Sequence, residues 1–224
     1  MVARDMVGTS SAGVPLPRRP LTPSDDEVRL WYENVLGWPT VPGDPVRLVV
    51  GVRFDVLDVP EEAGVAALER LEASRCAGFP VALCGGRMRL LVAAGSAAEL
   101  PGLLEWLEWG APLELDLTAV GAGGVMEAPA SAPTAPPVGF GACARDVSQG
   151  AAVWLRPPGP ERGAEASLPT LSAMGTRNAL GDRESPPDLV RLVNTVATQI
   201  HRVRLRHAGA AAAGKTDSQP LAFS

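Results

Sequence analysis

From Arg47 to Val120 the chain alternates short runs of Val and Leu with sharply marked helix starts. That alternation restricts the fold to packed layers of strands and helices. Two strand candidates, Arg47–Val52 and Phe54–Val59, come first. Pro60-Glu61-Glu62 then opens a helix, with proline at its first position and acids where the positive end of the helix dipole favours them. Val65, Leu68 and Leu71 form its inner stripe, which ends near Arg75. Pro80–Leu83 and Arg87–Ala93 read as a hairpin across the Cys84-Gly85-Gly86 turn. Ser96 with Glu99 marks a further capped helix, with Leu103, Leu104, Trp106 and Leu107 packing and Gly110 as its stop. Leu113–Val120 reads as a fifth strand, and Val125–Ala128 as a short one after the Gly121–Gly124 turn.

The flanks are plainer. Residues 1–23 are polar and proline-rich, the composition of a disordered lead-in. Ser24 and the acids Asp25, Asp26 and Glu27 start a helix whose apolar face is Val28, Trp31, Tyr32 and Val35, and Gly37 ends it. Trp38–Gly43 reads as a short extended piece closed by a turn. Residues 129–150 are rich in Ala, Pro and Gly, and Ala151–Arg156 reads as a last strand. Residues 159–185 read as loop, 186–207 as a long amphipathic helix and 208–224 as a disordered tail. The class is α+β with a C-terminal helix.

A length of 224 residues suits one core with ragged ends rather than two full domains. The net charge of −5 and pI near 5.1 are of the wrong sign for a general nucleic-acid binder. Between Asp55 and Glu127 twelve acids face four arginines, a net of −8. Arg87 and Arg89 share a strand face and are the candidates there for holding a phosphate or a nucleic-acid backbone. The three cysteines, Cys76, Cys84 and Cys143, show no metal spacing, which fits idle thiols in a reducing compartment. With no apolar leader or spanning run, the expected location is the cytoplasm, away from membranes.

Four phrases carry a resemblance to a known family. They are Tyr32-Glu-Asn-Val-Leu-Gly-Trp-Pro-Thr-Val-Pro-Gly43, Phe54-Asp-Val-Leu-Asp-Val-Pro-Glu-Glu-Ala-Gly-Val-Ala-Ala-Leu68, Gly86-Arg-Met-Arg-Leu-Leu-Val92 and Leu115-Asp-Leu-Thr-Ala-Val-Gly-Ala-Gly-Gly-Val-Met-Glu-Ala-Pro129. In their order the chain resembles the N-terminal prim-pol domain of bifunctional DNA primase/polymerases, in a divergent actinobacterial form. The resemblance covers residues 24–158, about 60% of the chain. It implies the archaeo-eukaryotic primase fold, with RRM-like βαβ units and a mixed or antiparallel sheet. It also implies two-metal nucleotidyl transfer, with Mg²⁺ or Mn²⁺ held by an Asp-x-Asp and a later acid.

The residues depart from that pattern. Asp58 matches the first acid and Asp116 the third, but Pro60 stands where the second belongs. Met88 replaces a phosphate-holding histidine with a thioether, Thr118 replaces an arginine, and Asp44-Pro45 lies where a lysine is typical. Asp55 is three residues from Asp58 and faces the other side of a regular strand; only a bulge would bring it round. The resulting expectation is a catalytically degenerate prim-pol-like domain serving as a regulatory or interaction module, with no cofactor and with Asp58 and Asp116 as vestigial metal ligands. A residual metal-dependent primase/polymerase and a nucleotide-binding sensor stand as alternatives.

The last helix offers a seam of Leu189, Val193, Val196, Ile200 and Val203 at alternating spacings of three and four. It either packs on the domain's own sheet or docks on a partner protein or a second copy. The arginines beside it leave nucleic acid as a third option. Gly121–Gly124 lacks the lysine of a phosphate loop and reads as a turn, and His201 and His207 are badly spaced to share a metal. No hydrolase motif is present.

Overall fold

The computed structural model describes residues 25–73, 78–110, 113–129, 151–159, 164–171 and 188–216. The expected disordered lead-in and most of the segments 129–150 and 159–185 lie outside them, as do Cys76 and Cys143.

The architecture is α+β, built on two antiparallel sheets. Helix α1 (Asp25–Leu30) widens into a π-helical turn over Trp31–Leu36 and stops at Gly37, whose left-handed φ of 69° ends it. Strands β1 (Thr40–Val41), β2 (Arg47–Val49) and β7 (Val125–Glu127) make a small sheet in the order β1-β2-β7. The larger sheet runs β6-β3-β5-β4-β8, from β3 (Phe54–Pro60), β4 (Val81–Cys84), β5 (Arg87–Ala93), β6 (Thr118–Val120) and β8 (Val153–Arg156). Helix α2 (Glu61–Ala73) follows β3 and helix α3 (Ser96–Trp106) follows β5. The succession β3-α2-β4-β5-α3-β6 is thus a pair of interleaved βαβ units, with β3 and β5 at the centre of the sheet.

Each face of that sheet has its own core, as alternation along a strand requires. Leu57 and Val59 of β3 and Met88, Leu90 and Val92 of β5 point to the side carrying α2, α3 and helix α4 (Leu189–Thr216). Phe54 and Val56 of β3, Leu91 of β5 and Ala82 of β4 point the other way. They pack under Tyr32, Trp38, Leu48 and Met126 from the N-terminal helix and the small sheet. The Tyr32 hydroxyl accepts the Trp154 indole N–H at 2.8 Å and donates to the Pro129 carbonyl at 2.8 Å, whereas the Trp38 indole N–H of the same cluster is buried without a partner among the described residues.

Gly51 and Gly64 are among the glycines that permit close approach. Gly51, at φ +89°, leads into β3, and an added Cβ there would overlap the backbone of Ala122 in the turn between β6 and β7. Gly64 of α2 lies against Met88, whose sulfur would be 2.5 Å from a new Cβ. The methionine that the resemblance sets at a phosphate position is therefore fully buried between sheet and helix.

Several expectations need correction. Trp106, expected to pack, is 70% exposed on α3; Pro60 ends β3 rather than opening α2; and β2 stops at Val49, short of Val52. The fifth strand is short, because β6 holds only Thr118–Val120, paired with Val56–Asp58. Two residues further along the same register Asp116 would face Pro60, which has no N–H to extend the ladder. The C-terminal helix does not end near His207 but continues to Thr216, through an alanine-rich stretch of high helix propensity. The cap of α3 is not local: Gly95 precedes the helix without a side-chain cap, and Asp55 Oδ2 accepts the Ala97 N–H at 2.8 Å from the central strand. The apolar seam of α4 is not an open docking surface. Leu189, Val193 and Val196 are 0% exposed, Ile200 4% and Val203 7%, all inside the helix-side core.

Candidate functional site

The register of β3 against β5 sets Asp58 opposite Arg89 and Pro60 opposite Arg87. These side chains lie on the sheet face opposite the helices, beyond the edge of the aromatic core. Cys84 of β4 pairs with Arg87 and joins the same face. Asp116 arrives from the irregular segment before β6, on the far side of Pro60 from Arg87.

Arg87 spans this row. Its Nε donates to Asp58 Oδ1 at 2.5 Å, its Nη1 to Asp116 Oδ1 at 2.7 Å and its Nη2 to the Asp58 carbonyl at 3.2 Å. Pro60 presents a low apolar ring between them, over which the guanidinium can extend. Arg89 Nε reaches the second oxygen of Asp58 at 3.4 Å, and its Nη1 is buried with no partner among the described residues. Burial works against the charge of Arg87, but the hydrogen bonds to Asp116 and Asp58 outweigh it and hold its proton more tightly than usual.

Glu127 closes the other side. One of its oxygens accepts the Ala152 N–H at 3.1 Å, and the Cys84 thiol approaches the other at 3.7 Å. Burial pushes the Cys84 thiol above its ordinary pKa; Arg89 opposes the shift and Glu127 adds to it, so the thiol stays protonated and unreactive at neutral pH.

The structure thus brings together four residues expected from sequence: Asp58, Asp116, Arg87 and Arg89. It arranges them against each other, with both arginines turned to carboxylates. Asp55 does not join them. Strand β3 pairs regularly from Phe54 to Pro60, without a bulge, and Asp55 lies on the helix side, 1% exposed, capping α3. Glu61 and Glu62 open α2 as expected, and Glu62 meets Arg206 at 3.0 Å and His207 at 3.2 Å. Gly121–Gly124 is a turn, and His201 rests against the Trp109 ring. Sequence reasoning missed Glu127 and Cys84, whose meeting depends on how the small sheet sits on the large one. Among the described residues no group of three or more His, Cys, Asp or Glu could hold a metal ion.

The chemistry open to this cluster is that of an ion-pair network. A divalent cation could reach both Asp58 and Asp116 only by displacing Arg87, exchanging one cation for another. The two acids should also differ in structural weight. Asp58 is 17% exposed and serves both arginines, whereas Asp116 is 61% exposed and serves one. Asp58→Ala should cost about 1–3 kcal/mol, because it leaves Arg89 without a carboxylate and Arg87 with Asp116 alone. Asp116→Asn should cost below about 1 kcal/mol, as an exposed pair does. Urea unfolding of the two variants measures the contrast, and equal losses would refute the network described here.

Comparison with known proteins finds no matching family model, no matching curated protein and no matching solved structure. No helix among the described residues is long and apolar enough to cross a membrane.

Proposed function

We propose that the chain is a catalytically degenerate prim-pol-like domain that works as a regulatory or interaction module. The observation that carries this reading is the single guanidinium of Arg87 bonded to both Asp58 and Asp116. Two-metal transfer needs those carboxylates turned to cations and the nucleotide phosphates turned to arginines. Here each group already has its complement in its neighbour. Two further features support the reading. The aromatic side chains of this sheet face, Phe54 and Trp154, are buried in the core, so neither offers a ring on which a base could stack. Met88 lies on the opposite face, against α2.

The same geometry supports one rival, a residual metal-dependent primase/polymerase. The two carboxylates do converge, and a cation that expelled Arg87 would find both. Primer extension with purified protein, dNTPs or NTPs and Mn²⁺ separates the readings, with Asp58→Ala/Asp116→Ala as control. The expected result is no incorporation by well-folded protein. Incorporation that the double substitution abolishes would make the chain an enzyme and end the degenerate reading.

A further inference from the structure

Helix α3 is apolar on both sides. Leu100 and Leu103 face the helix-side core, whereas Ala98, Gly102 and Trp106, at steps of four residues, form a stripe on the outer side. All three are exposed, Trp106 to 70%. Nothing lies within 4 Å of where a Cβ on Gly102 would stand, so the stripe is low and open beside the indole. A helix that is apolar all round is one that something covers.

Acids border this stripe. Glu99 and Glu105 are exposed on α3, and Glu108 is exposed just beyond its end. None of these three carboxylates has a hydrogen-bond or ion-pair partner among the described residues. An apolar stripe edged with negative charge favours an occupant that is apolar and basic. A second copy of the same face, a nucleic-acid backbone and an anionic lipid surface would each bring like charge against it.

The chain carries an occupant of the right chemistry. Residues 15–20 read Pro-Leu-Pro-Arg-Arg-Pro, and no acid occurs from Met6 to Pro23. Proline sets its φ in advance, so ordering such a stretch against an aromatic ring costs less entropy than ordering an average segment. Arginine both packs on an indole face and pairs with carboxylates. Ten residues lead from Pro15 to Asp25, where α1 begins. Extended, they span at most about 35 Å, about the diameter of a small domain, which gives the segment the reach to cover α3 of its own chain.

We propose that the outer face of α3 is the docking surface for residues 15–20 of the same chain, with prolines against Trp106 and with Arg18 and Arg19 against Glu105 and Glu108. The contact goes beyond the reading of the Asp58, Arg87 and Asp116 row and does not depend on it.

Trypsin tests the contact in the full chain, because cleavage after Arg18 follows the population in which the segment is released. A synthetic peptide of residues 1–24 supplies the rate for the same bond when free. The bond after Arg18 should be cut at least about tenfold more slowly in the chain than in the peptide, and the bond after Arg4 alike in both. Trp106→Ala and Glu105→Gln/Glu108→Gln should each restore most of the peptide rate at Arg18. Thermal unfolding should stay unchanged in both, since the replaced side chains are exposed. Equal rates in chain and peptide, or protection that survives either substitution, would overturn the proposal. Protection that fades on dilution would assign the segment to a second copy and overturn it equally. Primer extension stays independent: incorporation would end the degenerate reading and leave this contact in place.

Discussion

Ile200→Asp is expected to unfold the domain rather than to release a partner. Ile200 is 4% exposed and sits on α4 among the residues that pack against α2 and the sheet. A carboxylate placed there has no cation in the core beside it, and burying an unpaired charge costs several kcal/mol. Loss of the apolar side chain adds about 2–5 kcal/mol. Together these approach the whole stability of a domain of this size. Circular dichroism should show the variant unfolded or melting far below the parent. A folded variant with unchanged melting would mean that α4 is not part of the core and would reopen its seam as a docking surface.

Gly51→Ala should be nearly as damaging, through the backbone. The φ of +89° at Gly51 is strained for any side chain, and the new Cβ would overlap the main chain of Ala122. Backbone cannot rotate aside as a side chain can, so the turn between β6 and β7 must move away from the entry to β3. A cost of about 3 kcal/mol or more follows from the strain and overpacking together. Gly64→Ala provides the contrast, because the atoms it meets belong to the Met88 side chain rather than to main chain, and about 1–3 kcal/mol is expected. Thermal unfolding of the pair ranks them; a milder effect at Gly51 than at Gly64 would contradict the packing described.

Local signals were enough for much of this fold. Strand β5 spans Arg87–Ala93 as its Val and Leu pattern implies, α2 opens at its paired glutamates, and Gly85-Gly86 turns the hairpin. What escaped was set between distant residues. The cap of α3 comes from Asp55, 42 residues before the amide it holds. The length of β6 depends on Pro60 in the neighbouring strand. The α4 seam has the same spacing whether it faces its own sheet or a partner, and periodicity does not say which surface will cover it. The site was legible as a set of residues, since Asp58, Asp116, Arg87 and Arg89 do meet. Their arrangement was not legible, because nothing local to Arg87 shows that it will cross Pro60 to reach Asp116.

The two apolar clusters share one wall. Residues of β3 and β5 alternate between them, Leu57 and Leu90 facing the helices, Val56 and Leu91 facing the aromatic cluster. Neither half can come apart without stripping one side of the same two strands and laying Val and Leu bare to water. The described residues are therefore expected to melt as a single cooperative unit, despite two cores and two sheets.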